Sequence, residues 1–243
     1  MNIQSITMKL SLRPRPLKYT VLGCGAAGFG LYRLLYATGV DGRGLLISNH
    51  PAWVSLCILA LALGAVILCS TAGIRGTGSR FPRSIPASIG CILAAAASAS
   101  GAWNGWMEGY ILYGLPALLA AAAFAIVAFC RFSGLKPYFL LHVVICIHFA
   151  MQMLKIYQGC SFDPQVQGYL FQLLACIGMT LTAYQLAHFD LGKGSHRWLW
   201  TVGLCTVFLC AVSVGTSESG TYLAGGVWAF TNLSDLRLRR KNN

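Results

Sequence analysis

Of 243 residues, 56% are hydrophobic and only 10% are charged, against roughly 25% charged in an average soluble domain. A water-soluble core of this size needs a polar shell that the composition does not supply, so lipid must replace water around most of the surface. The formal net charge of +12 would suggest nucleic acid in a soluble chain, but the basic residues are distributed among short connections rather than gathered on one face, which argues against that partner.

The chain begins with a basic stretch, residues 1–18, holding Lys9, Arg13, Arg15 and Lys18. Apolar segments follow at 19–38, 52–74, 86–104, 111–130, 138–158, 166–187, 197–215 and 219–235. The first is read as a retained span rather than a cleaved signal peptide, because its n-region is long, it contains Arg33, and a small-residue cleavage site is poorly formed. Between Ala52 and Ile74 there is no charge at all, and the run has about the 20 residues that ~30 Å of hydrocarbon requires. None of the segments alternates polar and apolar residues as barrel strands do. Pro86 and Pro137 stand near the starts of the third and fifth segments, where a missing N–H costs nothing. Pro116 falls inside the fourth and is expected to kink it or mark its first turn. Asn104-Gly105 is the expected turn between segments three and four, and Gly192 to Ser195 links six to seven.

The eighth segment is the least apolar, with Gly225, Gly226, Thr231 and Asn232. Charge argues for counting it. With the N-terminus inside and eight crossings, fifteen of the 18 basic residues fall in cytoplasmic stretches, as the positive-inside rule requires. Asp41, Glu108, Asp163 and Glu218 then lie outside. Seven crossings would leave the tail of Arg237, Arg239, Arg240 and Lys241 on the wrong side. The predicted architecture is therefore all-α: a polytopic membrane bundle of about eight transmembrane helices with both termini cytoplasmic. Residues 1–18 form a basic cytoplasmic segment, 19–235 a single transmembrane domain, and 236–243 a basic cytoplasmic tail. The cell membrane is the expected location and the lipid bilayer the expected partner.

Nine of the ten cysteines lie within apolar runs, with no C-x-x-C pair and no zinc spacing, so they read as small hydrophobes. Cys160, expected in a loop, is the exception. Gly23-Cys24-Gly25-Ala26-Ala27-Gly28 spells a dinucleotide fingerprint, but the motif needs a strand before it and a βαβ unit around it. The small residues instead suggest close helix approach through Gly23 with Ala27 and Ala26 with Gly30. Trp53, Trp103, Trp106, Tyr110 and Tyr113 gather at predicted outer ends, and Trp198 and Trp200 at an inner one, as an aromatic belt would.

The fifth segment carries the most chemistry. His148, Gln152 and Lys155 share one helical face, while His142 lies closer to the cytoplasm and on another. The sixth returns with Gln165, Tyr169 and Gln172, again on one face, and Cys176 continues it. Ionisable groups in a membrane usually face the bundle interior or a water-filled cavity. The candidate binding site is thus an outward-opening polar pocket of Arg33, His148, Gln152, Lys155, Tyr169 and Gln172. The competing reading has Arg33 and Lys155 snorkelling to the interface while the glutamines bond one helix to the next. Catalytic signatures are lacking: there is no H-E-x-x-H, and Gly215 to Ser219 misses G-x-S-x-G at its last position. No cofactor or metal site is expected. The function favoured is a small-solute or ion transporter or channel. The alternative is a non-catalytic membrane subunit or sensor acting through a partner protein or a second copy.

Overall fold

A computed structural model describes residues 14–39, 50–74, 77–78, 83–107, 109, 111–160, 168–215 and 219–235. Each apolar segment forms a helix: α1 (Pro14–Thr38), α2 (Pro51–Thr71), α3 (Ile85–Met107), α4 (Ile111–Ser133), α5 (Phe139–Cys160), α6 (Leu170–Asp190), α7 (His196–Ser213) and α8 (Ser219–Asp235). Five of them, α2 to α6, are long and apolar enough to cross a membrane. The acids Asp41, Glu108, Asp163 and Glu218, together with Tyr110, Gln165 and the basic stretches 1–13 and 236–243, lie outside the described residues.

Helix ends follow local chemistry. Pro14 and Pro51 open α1 and α2, where proline loses no hydrogen bond. The Ser84 hydroxyl accepts from the Ala87 amide at the start of α3, a normal N-cap. α3 continues through Asn104-Gly105, the expected turn, and the reversal comes instead around Gly109, whose φ is 81°. α4 ends at Gly134 (φ 73°), with the Leu135 amide reaching back to Cys130. α6 ends at Gly192 (φ 79°), with Lys193 bonded to His188 and Gly192 to Phe189. Both are glycine reversals of the Schellman kind. They place Arg131 and Asp190 in the last turns of their helices. Asp190, expected in a loop, is thereby helical and buried.

The helices run up and down in alternation, and contacts at the two ends demonstrate it. At one end, the Lys18 ammonium of α1 donates to the Leu233 carbonyl of α8, and Thr71 of α2 shares a 2.7 Å hydroxyl contact with Thr201 of α7. The Ser84 amide bonds the Arg131 carbonyl there, and two short strands, β1 (Thr77–Gly78) and β2 (Gly194–Ser195), pair antiparallel across the connections α2–α3 and α6–α7. At the other end, Tyr32 and Tyr36 of α1 donate to the Gly168 carbonyl before α6, and Tyr113 of α4 donates to Gln158 of α5.

Helix α7 lies at the centre, packed on α1, α2, α6 and α8. Only Trp198 among its large apolar side chains is exposed, and only Leu223 on α8. By contrast, α2 turns Val54, Ile58, Leu61 and Leu68 outward, and α4 exposes Leu112, Leu115, Leu118, Leu119, Ile126, Phe129 and Phe132. So broad an apolar exterior is what lipid contact requires. The weak hydropathy of α7 and α8 has the complementary cause: interior helices face protein, and hydroxyl pairs such as Thr182 with Thr206 (3.0 Å) join them. An aromatic knot of Trp228, Phe124 and Phe149 ties α8, α4 and α5 together.

Close approach in α1 uses different glycines from those expected. Gly23, Ala26, Ala27 and Gly30 are exposed, whereas Gly25 and Gly28 face α7. A Cβ on Gly28 would lie 2.8 Å from Val212 Cγ2, and one on Gly25 2.9 Å from Ala211 Cβ. The belt also divides: Trp103, Trp106 and Trp198 are exposed, but Trp200 is 2% exposed beneath the Lys18 ammonium, 4.8 Å from its ring. Cys160 is the last residue of α5 rather than part of a loop.

Candidate functional site

Helix α5 buries polar residues along most of its length, on more than one face. His142, His148 and Gln152 are all 8% exposed or less, and Lys155 is half-buried one turn further on. His148 stands near the middle of a helix of 22 residues, 1% exposed, with Nε2 3.5 Å from the Ser98 hydroxyl of α3. Its ring lies against Phe149 at 5.2 Å. Gln152 follows on the same side, where the Nε2 amide approaches Gly101 of α3. Its buried Oε1 takes no hydrogen bond among the described residues. Small residues on α3 explain the fit: Ser98 and Gly101 leave room for larger polar groups from the facing helix.

Of the expected α6 residues, Gln172 turns toward α1. Gln172 hydrogen-bonds the hydroxyl of Tyr32 on α1, which is itself bonded to Gly168 and Tyr36. Tyr169 is buried at the N-cap of α6. Arg33 is exposed, with its guanidinium 6.0 Å from the Phe29 ring and its stem beside Gly215. The described contacts place three of the six expected residues in two neighbourhoods. His148 and Gln152 face α3, and Gln172 faces α1. α5 and α6 do pack side by side as expected, joined by the Cys146 thiol donating to the Thr180 carbonyl at 3.4 Å.

A second polar cluster occupies the end where Lys18 meets Leu233, and sequence reasoning did not assemble it. His142 Nδ1 of α5 lies 2.7 Å from the Asp190 carboxylate of α6, with the two side chains 1% and 2% exposed. Arg131 of α4 is 2% exposed and reaches Asn232 Oδ1 of α8 at 3.5 Å. Asn232 in turn donates to the Trp228 carbonyl at 2.8 Å. Four helices thus bring two buried pairs of charged and polar groups to the same end of the bundle. The signal available in the sequence was Asp190 itself, an acid on the basic side, two residues before a glycine and followed by Lys193. Arg131 was counted among loop cations instead, because positive-inside counting weighs charge without asking which way the side chain turns.

The two polar regions lie on one helix, six residues apart at His142 and His148, or about 9 Å along the axis. Chemically, the arrangement offers imidazoles, a carboxylate and an ammonium at successive depths of an apolar bundle. No family model matches the chain, and neither does any curated protein or any solved structure.

Proposed function

We propose that the chain is a multi-pass protein of the cell membrane, crossing eight times with both ends on the cytoplasmic side, that moves a small solute or ion along the buried polar face of α5. The observation that carries this reading is His148: an ionisable ring, 1% exposed, in the middle of a long apolar helix. Such groups are costly in a bilayer, and where they occur they commonly line a substrate or ion pathway. His142, Gln152 and Lys155 extend the same helix's polar character toward both ends. In this reading Gln152 and Lys155 lead to the outer mouth, and Arg33, Tyr169 and Gln172 lie toward the same end on α1 and α6.

The test is flux into proteoliposomes, using panels of inorganic ions and small organic solutes. Replacing His148 or Lys155 by alanine should abolish the flux while insertion and folding persist. Flux that is unchanged in both variants would remove the α5 face from the path. A second reading, a membrane subunit acting through a partner, draws support from the exposed small residues of α1, Gly23, Ala26, Ala27 and Gly30. It requires a stoichiometric partner on purification in mild detergent, and a lone monodisperse chain would count against it.

A further inference from the structure

The interior of this bundle is generally joined by neutral groups. Thr71 pairs with Thr201, Thr182 with Thr206, and the Ser88 hydroxyl donates to the Ala128 carbonyl. Such bonds secure helix to helix without placing charge in a medium of low dielectric. The set at Asp190 departs from that pattern. Burying a carboxylate and a guanidinium costs several kcal/mol per ion before their attraction is counted, and a serine or asparagine would have tied α5 to α6 without that cost. The ionisable groups therefore call for a role that neutral ones cannot fill.

The geometry at His142 indicates the role. Nδ1 lies 2.7 Å from the Asp190 carboxylate, yet neither Nδ1 nor the facing Oδ2 makes a hydrogen bond of normal geometry among the described residues. Nε2 is likewise buried without a hydrogen bond among the described residues, so in either neutral tautomer one ring nitrogen is a bare acceptor. The surrounding helices supply few other charges. α4 contributes Arg131 and, next to it in the chain, the Cys130 thiol. α6 contributes Asp190, and α8, among its described side chains, contributes the amide of Asn232. Lys136 is exposed and Lys18 is held by the Leu233 carbonyl and the Trp200 face. Arg131 and Asp190 cancel, so the set is neutral with His142 unprotonated and singly positive once a proton is added.

We propose that His142 and Asp190 form a buried proton-binding site between α5 and α6, and that the proton is the ion this protein moves or is driven by. The step is a simple transfer: hydronium from the basic end gives a proton to the ring nitrogen that lacks one, water departs, and the imidazolium lies beside the Asp190 carboxylate. No bond to carbon changes and nothing is oxidised or reduced. Asp190, 2.7 Å away, compensates the charge of the imidazolium. The assignment rests on the permeation reading for its consequence, but proton binding itself is measured separately.

The test uses the full chain in proteoliposomes containing a pH-sensitive dye, with an imposed potassium diffusion potential as the driving force. The variants are His142→Gln and Asp190→Asn. The second preserves shape and an acceptor oxygen, so a merely architectural pair would tolerate it. Wild-type proton flux should fall by roughly 100-fold in both, the scale of a positioned proton acceptor, with detergent monodispersity and helical content unchanged. Proton flux that is unaffected by either change would overturn the site and leave permeation standing. Flux confined to some other ion or solute would overturn the proton assignment alone. If the wild type passes nothing, the permeation reading fails, and infrared spectra of the ¹⁵N-histidine protein between mildly acidic and mildly alkaline buffer decide the site. A titrating imidazole band lost in His142→Gln supports it, and identical spectra for the two proteins overturn it.

Discussion

Replacing Gly28 with alanine should destabilise the bundle, while the same change at Gly23, five residues earlier on the same helix, should not. The new Cβ at Gly28 would stand 2.8 Å from Val212 Cγ2, 3.3 Å from Phe208 Cε2 and 3.5 Å from Leu56 Cδ1. Val212 and Phe208, both on α7, would have to give way, while Leu56 of α2 stays at an ordinary contact distance. Overpacking of this kind costs about 1–3 kcal/mol, and the gain in helix propensity from glycine to alanine returns at most about 1 kcal/mol. The net expectation is a loss of up to about 2 kcal/mol. At Gly23 a Cβ meets nothing within 4 Å, so the propensity gain stands alone and the change is neutral or slightly stabilising. Cys91, Cys176 and Cys210 are buried thiols outside any disulfide, so thermal unfolding can be followed by labelling with a thiol-reactive fluorophore. A lower midpoint for Gly28→Ala with an unchanged or higher one for Gly23→Ala is the predicted outcome. The reverse order would mean that α1 packs through Gly23 and Gly30 and that its rotation against α7 is wrong.

Further outcomes follow from other contacts. Thr77 and Ser195 are Cα partners across β1 and β2, a separation that suits a disulfide. A Thr77→Cys, Ser195→Cys double variant should cross-link under mild oxidation, and failure to do so would separate the α2–α3 and α6–α7 connections. Trp228→Ala removes a fully buried ring that contacts Phe124 at 5.4 Å and Phe149 at 5.9 Å. A loss of about 3–5 kcal/mol is expected on denaturation in mixed micelles, and a loss below about 1 kcal/mol would contradict that packing. Lys18→Met should lower stability by about 1 kcal/mol through loss of the contact over Trp200 and of the bond to the Leu233 carbonyl. No change in the same assay would show that the ammonium lies in water.

How much of this was legible in the chain differs by feature. The eight helical segments were, because each is a long apolar run bounded by proline, glycine or charge. Their ends shifted by a few residues where a cap or reversal decided the matter: α3 ran past Asn104-Gly105 to Met107, and α6 extended to Asp190. Facing was harder. A run of glycines and alanines in α1 offers several small-x-x-x-small registers, and only the position of α7 selects Gly25 and Gly28. The α5 face of His148 and Gln152 could be read from spacing, since one helix fixes which residues point together. Its partner could not: Gln172 shares depth with that face yet turns to Tyr32. The Arg131, His142, Asp190 and Asn232 set was invisible for the same reason, being drawn from four helices with no local spacing to announce it.

The central claim is that the polar face of α5 is a route for an ion or solute rather than a seam between helices. Water-edited solid-state NMR on the ¹⁵N-histidine protein in bilayers addresses it directly, with His148→Gln used to assign the signal. The account predicts magnetisation transfer from mobile water to the His148 ring, as a hydrated path would give. A ring that receives none while Ser98 holds it would mark that face as helix-to-helix bonding and contradict the account.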